Sequence, residues 1–188
     1  LNGTNKPIRM MREYVALLQE CFSGESVTFD GEYFSTKKFR LGLRLEEKKP
    51  KIIMAALNPQ MLKLGGEIAD GVLLNYLPVS HVEYSIKKVR EGGDAKIFAY
   101  VHASVSDFEK ARASARKDLF NYAMADGYAR MFTEAGFGDE VAQLRERQKR
   151  KDREGALSAI SDRMIQEIDF VGNHSQVNNF FKSYSFKS

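Results

Sequence analysis

KIIMAALNPQMLKLGGEIADGVLLNYL, residues 51–77, is a complete strand–helix–strand passage in one stretch. KIIMAAL (51–57) is a continuous apolar run, as expected of a strand buried on both faces. Asn58 suits a helix N-cap and Pro59 the first helical position, so a helix is predicted over 58–70. Met61, Leu64, Gly65 and Ile68 form its apolar face. Asp70-Gly71 ends it, and VLLNYL (72–77) is a second short strand. Gly65-Gly66 costs about 1 kcal/mol per glycine in helix propensity. That cost predicts close packing of this helix on a sheet or on another helix.

The pattern continues on both sides. Upstream, residues 8–22 read as an amphipathic helix stopped by Gly24. SVTFDGEYFS follows, with β-formers around Asp30-Gly31, a strong hairpin signal. Downstream, Ser80-His81-Val82-Glu83 is a capping-box pattern opening a helix closed by Gly92-Gly93. KIFAYVHASV (96–105) is the next strand, and Ser106-Asp107-Phe108-Glu109 repeats the capping pattern before a long helix. Helices continue to about residue 154, with a break near Gly136-Phe137-Gly138. Ser161 is expected to cap the helix DRMIQEIDFV, and Asn173 with Gln176 to cap the last one.

Buried strands alternating with capped helices indicate a parallel sheet, either doubly wound or a (β/α)8 barrel. No G-x-G-x-x-G follows any strand, which weakens the dinucleotide-binding version. A barrel needs eight strands and runs to about 250 residues. Three strands, preceded and followed by helices, predict a piece from the later part of a barrel.

Composition narrows the function classes. No apolar run approaches the roughly 20 residues of a membrane span. The single cysteine, Cys21, excludes an intrachain disulfide or a cysteine-rich metal site, and a reduced, cytoplasmic setting fits. The net charge of +4 arises largely in RERQKRKDRE (145–154), where acids interleave with bases, as on a solvated helix face. Nucleic acid and membrane are therefore not expected partners.

Ligands of parallel α/β folds sit at the C-terminal ends of strands. That directs attention to Ala56, Leu57 and Asn58, to Asn75 and Tyr76, and to His102 and Ser104. The helix opened by Asn58-Pro59 offers the free N–H groups of Gln60 and Met61 to an anion, although most helices are capped and hold no ligand. Asn75 and Tyr76 could bond a substrate or simply end a strand. His81 and His174 read as surface residues and His102 as a packed strand residue. Tyr122, Tyr128 and their aromatic neighbours read as core. No metal-ligand spacing, nucleophile triad or carboxylate pair is present, so no catalytic residue is assigned.

MREYVALLQECFSGESVTFDGEYF (11–34), AALNPQMLKLGGEIADGVLLN (55–75), YARMFTEAGFGDEV (128–141) and AISDRMIQEIDFVGN (159–173) together resemble the bacterial luciferase-like monooxygenase superfamily. The similarity is strongest to its coenzyme F420-dependent branch, which includes methylenetetrahydromethanopterin reductase. The resemblance covers nearly the whole chain and implies a partial TIM barrel. Strands five to seven would be present and the front half missing, with 1–188 one domain and 106–160 a helical extension after strand seven. It implies an oxidoreductase using F420, with FMN-dependent monooxygenase chemistry or a non-catalytic binding or dimerisation module as alternatives. The acid–base residues of such enzymes would lie in the missing half, leaving the fragment inactive. By the same resemblance Ala56, Leu57, Asn58, Gln60 and Met61 touch the cofactor's phosphate-bearing tail, and Asn75 and Tyr76 face a small-molecule substrate. Relatives often carry Gly where Leu57 or Asn58 stands. A homodimer is the expected assembly.

Overall fold

The computed structural model describes residues 6–43, 45, 49–105 and 108–184, which fall into two compact units. The capping pattern at Ser106-Asp107 lies outside the described residues.

The first unit runs to Val72 and includes Lys88–Ile97. It opens with helix α1 (Lys6–Cys21), followed by a hairpin of β1 (Val27–Asp30) and β2 (Ser35–Phe39). Asp30 pairs with Ser35, so the connection spans four residues rather than a tight Asp-Gly turn. The Glu13 carboxylate of α1 explains the longer loop. It accepts the backbone N–H groups of Glu32, Tyr33 and Phe34 at 3.0, 2.8 and 2.6 Å. A side chain at Gly31 would displace that carboxylate from its three N–H partners. Burial pushes the Glu13 carboxyl upward, but the three N–H bonds outweigh it and hold it below its ordinary value.

Strands β3 (Ile53–Ala55), β4 (Gly71–Asn75) and β5 (Lys96–Tyr100) form a sheet in that order, and their first residues belong to this unit. Asp70 ties the three together. Its carboxylate accepts Ile52 N–H at 2.9 Å and Lys51 Nζ at 2.8 Å, its N–H donates to Ile52, and its carbonyl accepts from Lys96. Helix α2 (Pro59–Ile68) connects β3 to β4, and its glycines pack as their cost predicts. A Cβ on Gly65 would lie 2.7 Å from Val72 and 2.9 Å from Met54 of the sheet. A Cβ on Gly66 would strike the Val89 carbonyl, and one on Gly92 the Lys63 carbonyl. Backbone thus touches backbone between α2 and the Gly92-Gly93 turn that closes α3 (Val82–Arg90).

The second unit holds Leu73–Lys87 and the chain from Phe98 onward. The strand expected over 96–105 divides at Val101 into β5 and β6 (His102–Ser104). β6 pairs in parallel with β7 (Asp169–Val171), placing His102 opposite Asp169 and Ser104 opposite Val171. The sequence reading extends the preceding helix through these residues. Instead α8 (Asp162–Ile168) stops at Ile168. Phe170 then stacks on Phe180 at 4.6 Å, Val171 is buried, and Gly172 N–H bonds Ser104. A strand therefore does follow the helices, contrary to the expected end of the strand series.

Between β6 and α8 lie α4 (Phe108–Met124), α5 (Asp126–Phe132), a π-helical turn (Thr133–Phe137), α6 (Gly138–Lys149) and α7 (Arg153–Ser158). The predicted break falls at Gly136, whose φ is +89°. Arg163 secures it, with its guanidinium 3.9 Å from the Phe137 ring centroid and bonded to the Gly136 carbonyl. Leu119, Met131, Phe132, Phe137, Leu144, Met164 and Ile168 form a dry core. Part of the basic block is paired: Arg145 with Asp126 at 2.9 Å and Arg150 with Glu146 at 2.8 Å. Ser161 caps α8, and Asn173 with Gln176 forms a full capping box on α9 (His174–Ser183). Ser80 does not act as predicted. A short 3-10 turn (Val79–His81) precedes α3, and the Ser80 hydroxyl bonds Glu167 instead.

Candidate functional site

Strand β4 ends at Asn75, and Tyr76 follows with φ +50°, a left-handed conformation unusual for a bulky residue. Adjacent strand residues normally point to opposite faces. The left-handed turn breaks that alternation, so Asn75 and Tyr76 both reach His102 of β6. Asn75 Nδ2 donates to the Tyr128 hydroxyl at 2.9 Å, and Asn75 Oδ1 lies 3.3 Å from His102 Nε2. The Tyr76 ring lies between those of His102 and Tyr122, tilted about 30° to each, at centroid distances of 3.7 and 3.9 Å. Tyr100 meets His102 edge-on at 4.7 Å, and Tyr128 meets Tyr122 edge-on at 4.6 Å.

Two carboxylates set the electrostatics of this cluster. Burial first, and then the neighbouring Asp118, push the Asp169 carboxyl up to about 6. Burial raises the Tyr76 hydroxyl, and Asp169 and Asp118 add to it. Burial lowers His102, with Asp118 acting in the opposite direction. The result is a neutral imidazole in a stacked aromatic frame, with negative charge nearby.

In the first unit, the α2 N-terminus differs from its expected form. Asn58 occupies the N-cap with extended backbone, and its carbonyl accepts Leu62 N–H at 2.9 Å. Its side chain makes no cap bond, and Oδ1 is buried without a hydrogen-bond partner among the described residues. Pro59 has no N–H, so Gln60 and Met61 carry the first open donors of the helix. Ala56 is buried, Leu57, Asn58 and Met61 are half-buried, and Gln60 is exposed.

Asn75 and Tyr76 are thus brought together with His102, Tyr122 and Tyr128. The last three are half-buried and form a polar and aromatic cluster with them. Phe120, Phe132 and Phe137 are core, as expected. His174 is exposed, as predicted. His81 is not a surface residue: it is 6% exposed, its ring lies 4.7 Å from that of Tyr84, and its Nε2 is buried without a hydrogen-bond partner among the described residues.

The sequence model of the luciferase-like monooxygenase family matches residues 3–185. The chain belongs to that family. This luciferase-like chain is 28% identical over 186 residues to the 5,10-methylenetetrahydromethanopterin reductase of Archaeoglobus fulgidus, an alignment covering 92% of the chain and 55% of the reductase. In fold it is similar to the coenzyme F420-dependent tetrahydromethanopterin reductase of Methanopyrus kandleri. The TM-score is 0.70 at 23% identity, covering 95% of this chain and 55% of that one. An F420-dependent secondary alcohol dehydrogenase, solved with an F420-acetone adduct, aligns with a TM-score of 0.60 at 17% identity, covering 95% of this chain and 54% of that one. The fold is therefore part of a luciferase-like TIM barrel. The chain spans about half the length of the relatives it matches.

Proposed function

We propose that this chain is part of an F420-dependent oxidoreductase that transfers a hydride between reduced deazaflavin and an organic substrate, in the manner of methylenetetrahydromethanopterin reductase. The observation that carries the reading is the match to the Archaeoglobus fulgidus reductase across 92% of the chain. The α2 N-terminus supports it: the Gln60 and Met61 N–H groups lack a side-chain cap and, with the helix dipole, suit an anionic cofactor tail. Leu57 and Asn58 lead into that turn, and Ala56 contributes through its backbone because its side chain is buried. The lone Asn58 Oδ1 fits a hydroxyl donor on the same tail.

Asn75 and Tyr76 stand on the substrate side of this reading, within a half-buried aromatic frame suited to orienting a small molecule. Bound deazaflavin would supply the hydride chemistry, while this chain's residues bind and orient. We read 1–188 as one partial barrel domain, 106–160 as its helical extension, and a homodimer as the assembly. Among the described residues no helix is long and apolar enough to cross a membrane.

Fluorescence titration of the full-length protein with F420 tests the proposal. Saturable binding in the micromolar range or tighter is expected. The word monooxygenase in the family's description is the ground for a second reading, in which the cofactor is FMN. Saturable FMN binding with none for F420 would replace the first reading with the second.

A further inference from the structure

The Asn75 carboxamide is engaged at both ends. One of its two N–H groups bonds Tyr128 and its oxygen faces His102 Nε2, so its orientation is fixed by these two partners, with one N–H and one lone pair left over. With the Asn75 oxygen as the facing atom, the matching partner at His102 Nε2 is a donor, which points to the Nε2–H tautomer. Among the described residues nothing bonds the other ring nitrogen, Nδ1, and that atom is not sealed from solvent. The ring cannot turn away easily, because Tyr76 lies against its face and Tyr100 against its edge. Asp169 stands opposite His102 in the β6–β7 pairing, and it and Asp118 place negative charge at this strand end, which disfavours an anion there.

We infer that His102, through Nδ1, is the ligand-contacting residue of this strand end, and that Asn75 and Tyr128 are positioning residues holding it in the Nε2–H tautomer. The ligand group it takes is an N–H or O–H donor, not a carboxylate or phosphate. This rests on the oxidoreductase reading for the identity of the ligand but not for the tautomer. The geometry also tolerates a change of charge: Nε2–H donates to Asn75 whether or not Nδ1 carries a proton.

The test is nitrogen NMR of the full-length protein with labelled histidine, His102 being assigned by the loss of its signal in His102→Gln. The expected result is the Nε2–H tautomer in the parent and a mixture in Asn75→Ala and, to a smaller degree, in Tyr128→Phe. An Nδ1–H tautomer, or one unmoved by Asn75→Ala, would overturn the positioning role. Tetrahydromethanopterin added with F420 should shift Nδ1 alone. His102→Phe, which keeps the stack on Tyr76, should weaken pterin binding by about tenfold while leaving F420 affinity unchanged. Saturable F420 and pterin binding without a shift at Nδ1 overturns the contact role. Absence of F420 binding overturns the oxidoreductase reading and with it the ligand assignment, and the tautomer measurement still decides the rest.

Discussion

Tyr76 and Asp169 each hold a state that an isolated residue would avoid, and both do so beside His102. Tyr76 keeps a positive φ because its ring is trapped between His102 and Tyr122. Asp169 keeps a carboxyl raised from 3.8 to about 6, chiefly through burial. Its proton is therefore held more tightly in the folded chain than in the unfolded one. The stability this gives is complete below the unfolded value and is lost as pH rises through the folded one. Asp169→Asn should thus match the parent near pH 4 and exceed it by about 1 kcal/mol near pH 8, allowing for solvent screening. Urea midpoints at the two pH values would show this, and equal differences at both would contradict it. Asn75 and Tyr76 are legible in the sequence because they end an apolar run. Tyr128 and Asp169 are not, because they lie 53 and 94 positions from Asn75 and only tertiary folding brings them near.

At the scale of elements, local chemistry was readable where it is self-contained. The Asn173–Gln176 box needs nothing beyond four residues, and Asn173→Ala should cost about 1 kcal/mol in a denaturant melt. The Gly65-Gly66 pair announced close packing through its propensity cost. Gly66→Ala should destabilise by about 3 kcal/mol, since the colliding atom is the Val89 backbone carbonyl and cannot rotate away. A midpoint within experimental error of the parent would show that α2 has room to shift. Elements were misread where a distant group decides. Glu13 widens the hairpin loop from α1, Glu167 takes the Ser80 hydroxyl from its cap, and pairing with β6 turns Asp169–Val171 from helix to strand. None of these partners is within helical reach in the sequence.

At the scale of the whole molecule, the chain carries strands with uncovered apolar side chains. Ile53 on β3 is 50% exposed, and Tyr100 on β5 is 60% exposed with Phe98 also open. Such strands are aggregation-prone when unpaired or uncovered. Residues 1–188 expressed alone should scatter light at micromolar concentration and melt broadly. A sharp calorimetric transition in a monodisperse sample would refute that. The strand–helix alternation made a parallel α/β sheet legible and left doubly wound and barrel forms open, whereas the barrel family and the cofactor were legible only through resemblance, since no single motif in the chain binds a ring. The backbone contact of α2 with Gly92-Gly93 has a consequence in time as well as in space. With no side chain between them, neither segment can loosen by a rotamer change alone. The amides of α2 and those of Gly92 and Gly93, which bond the Val89 carbonyl, should exchange with deuterium at one common rate, as a single opening unit.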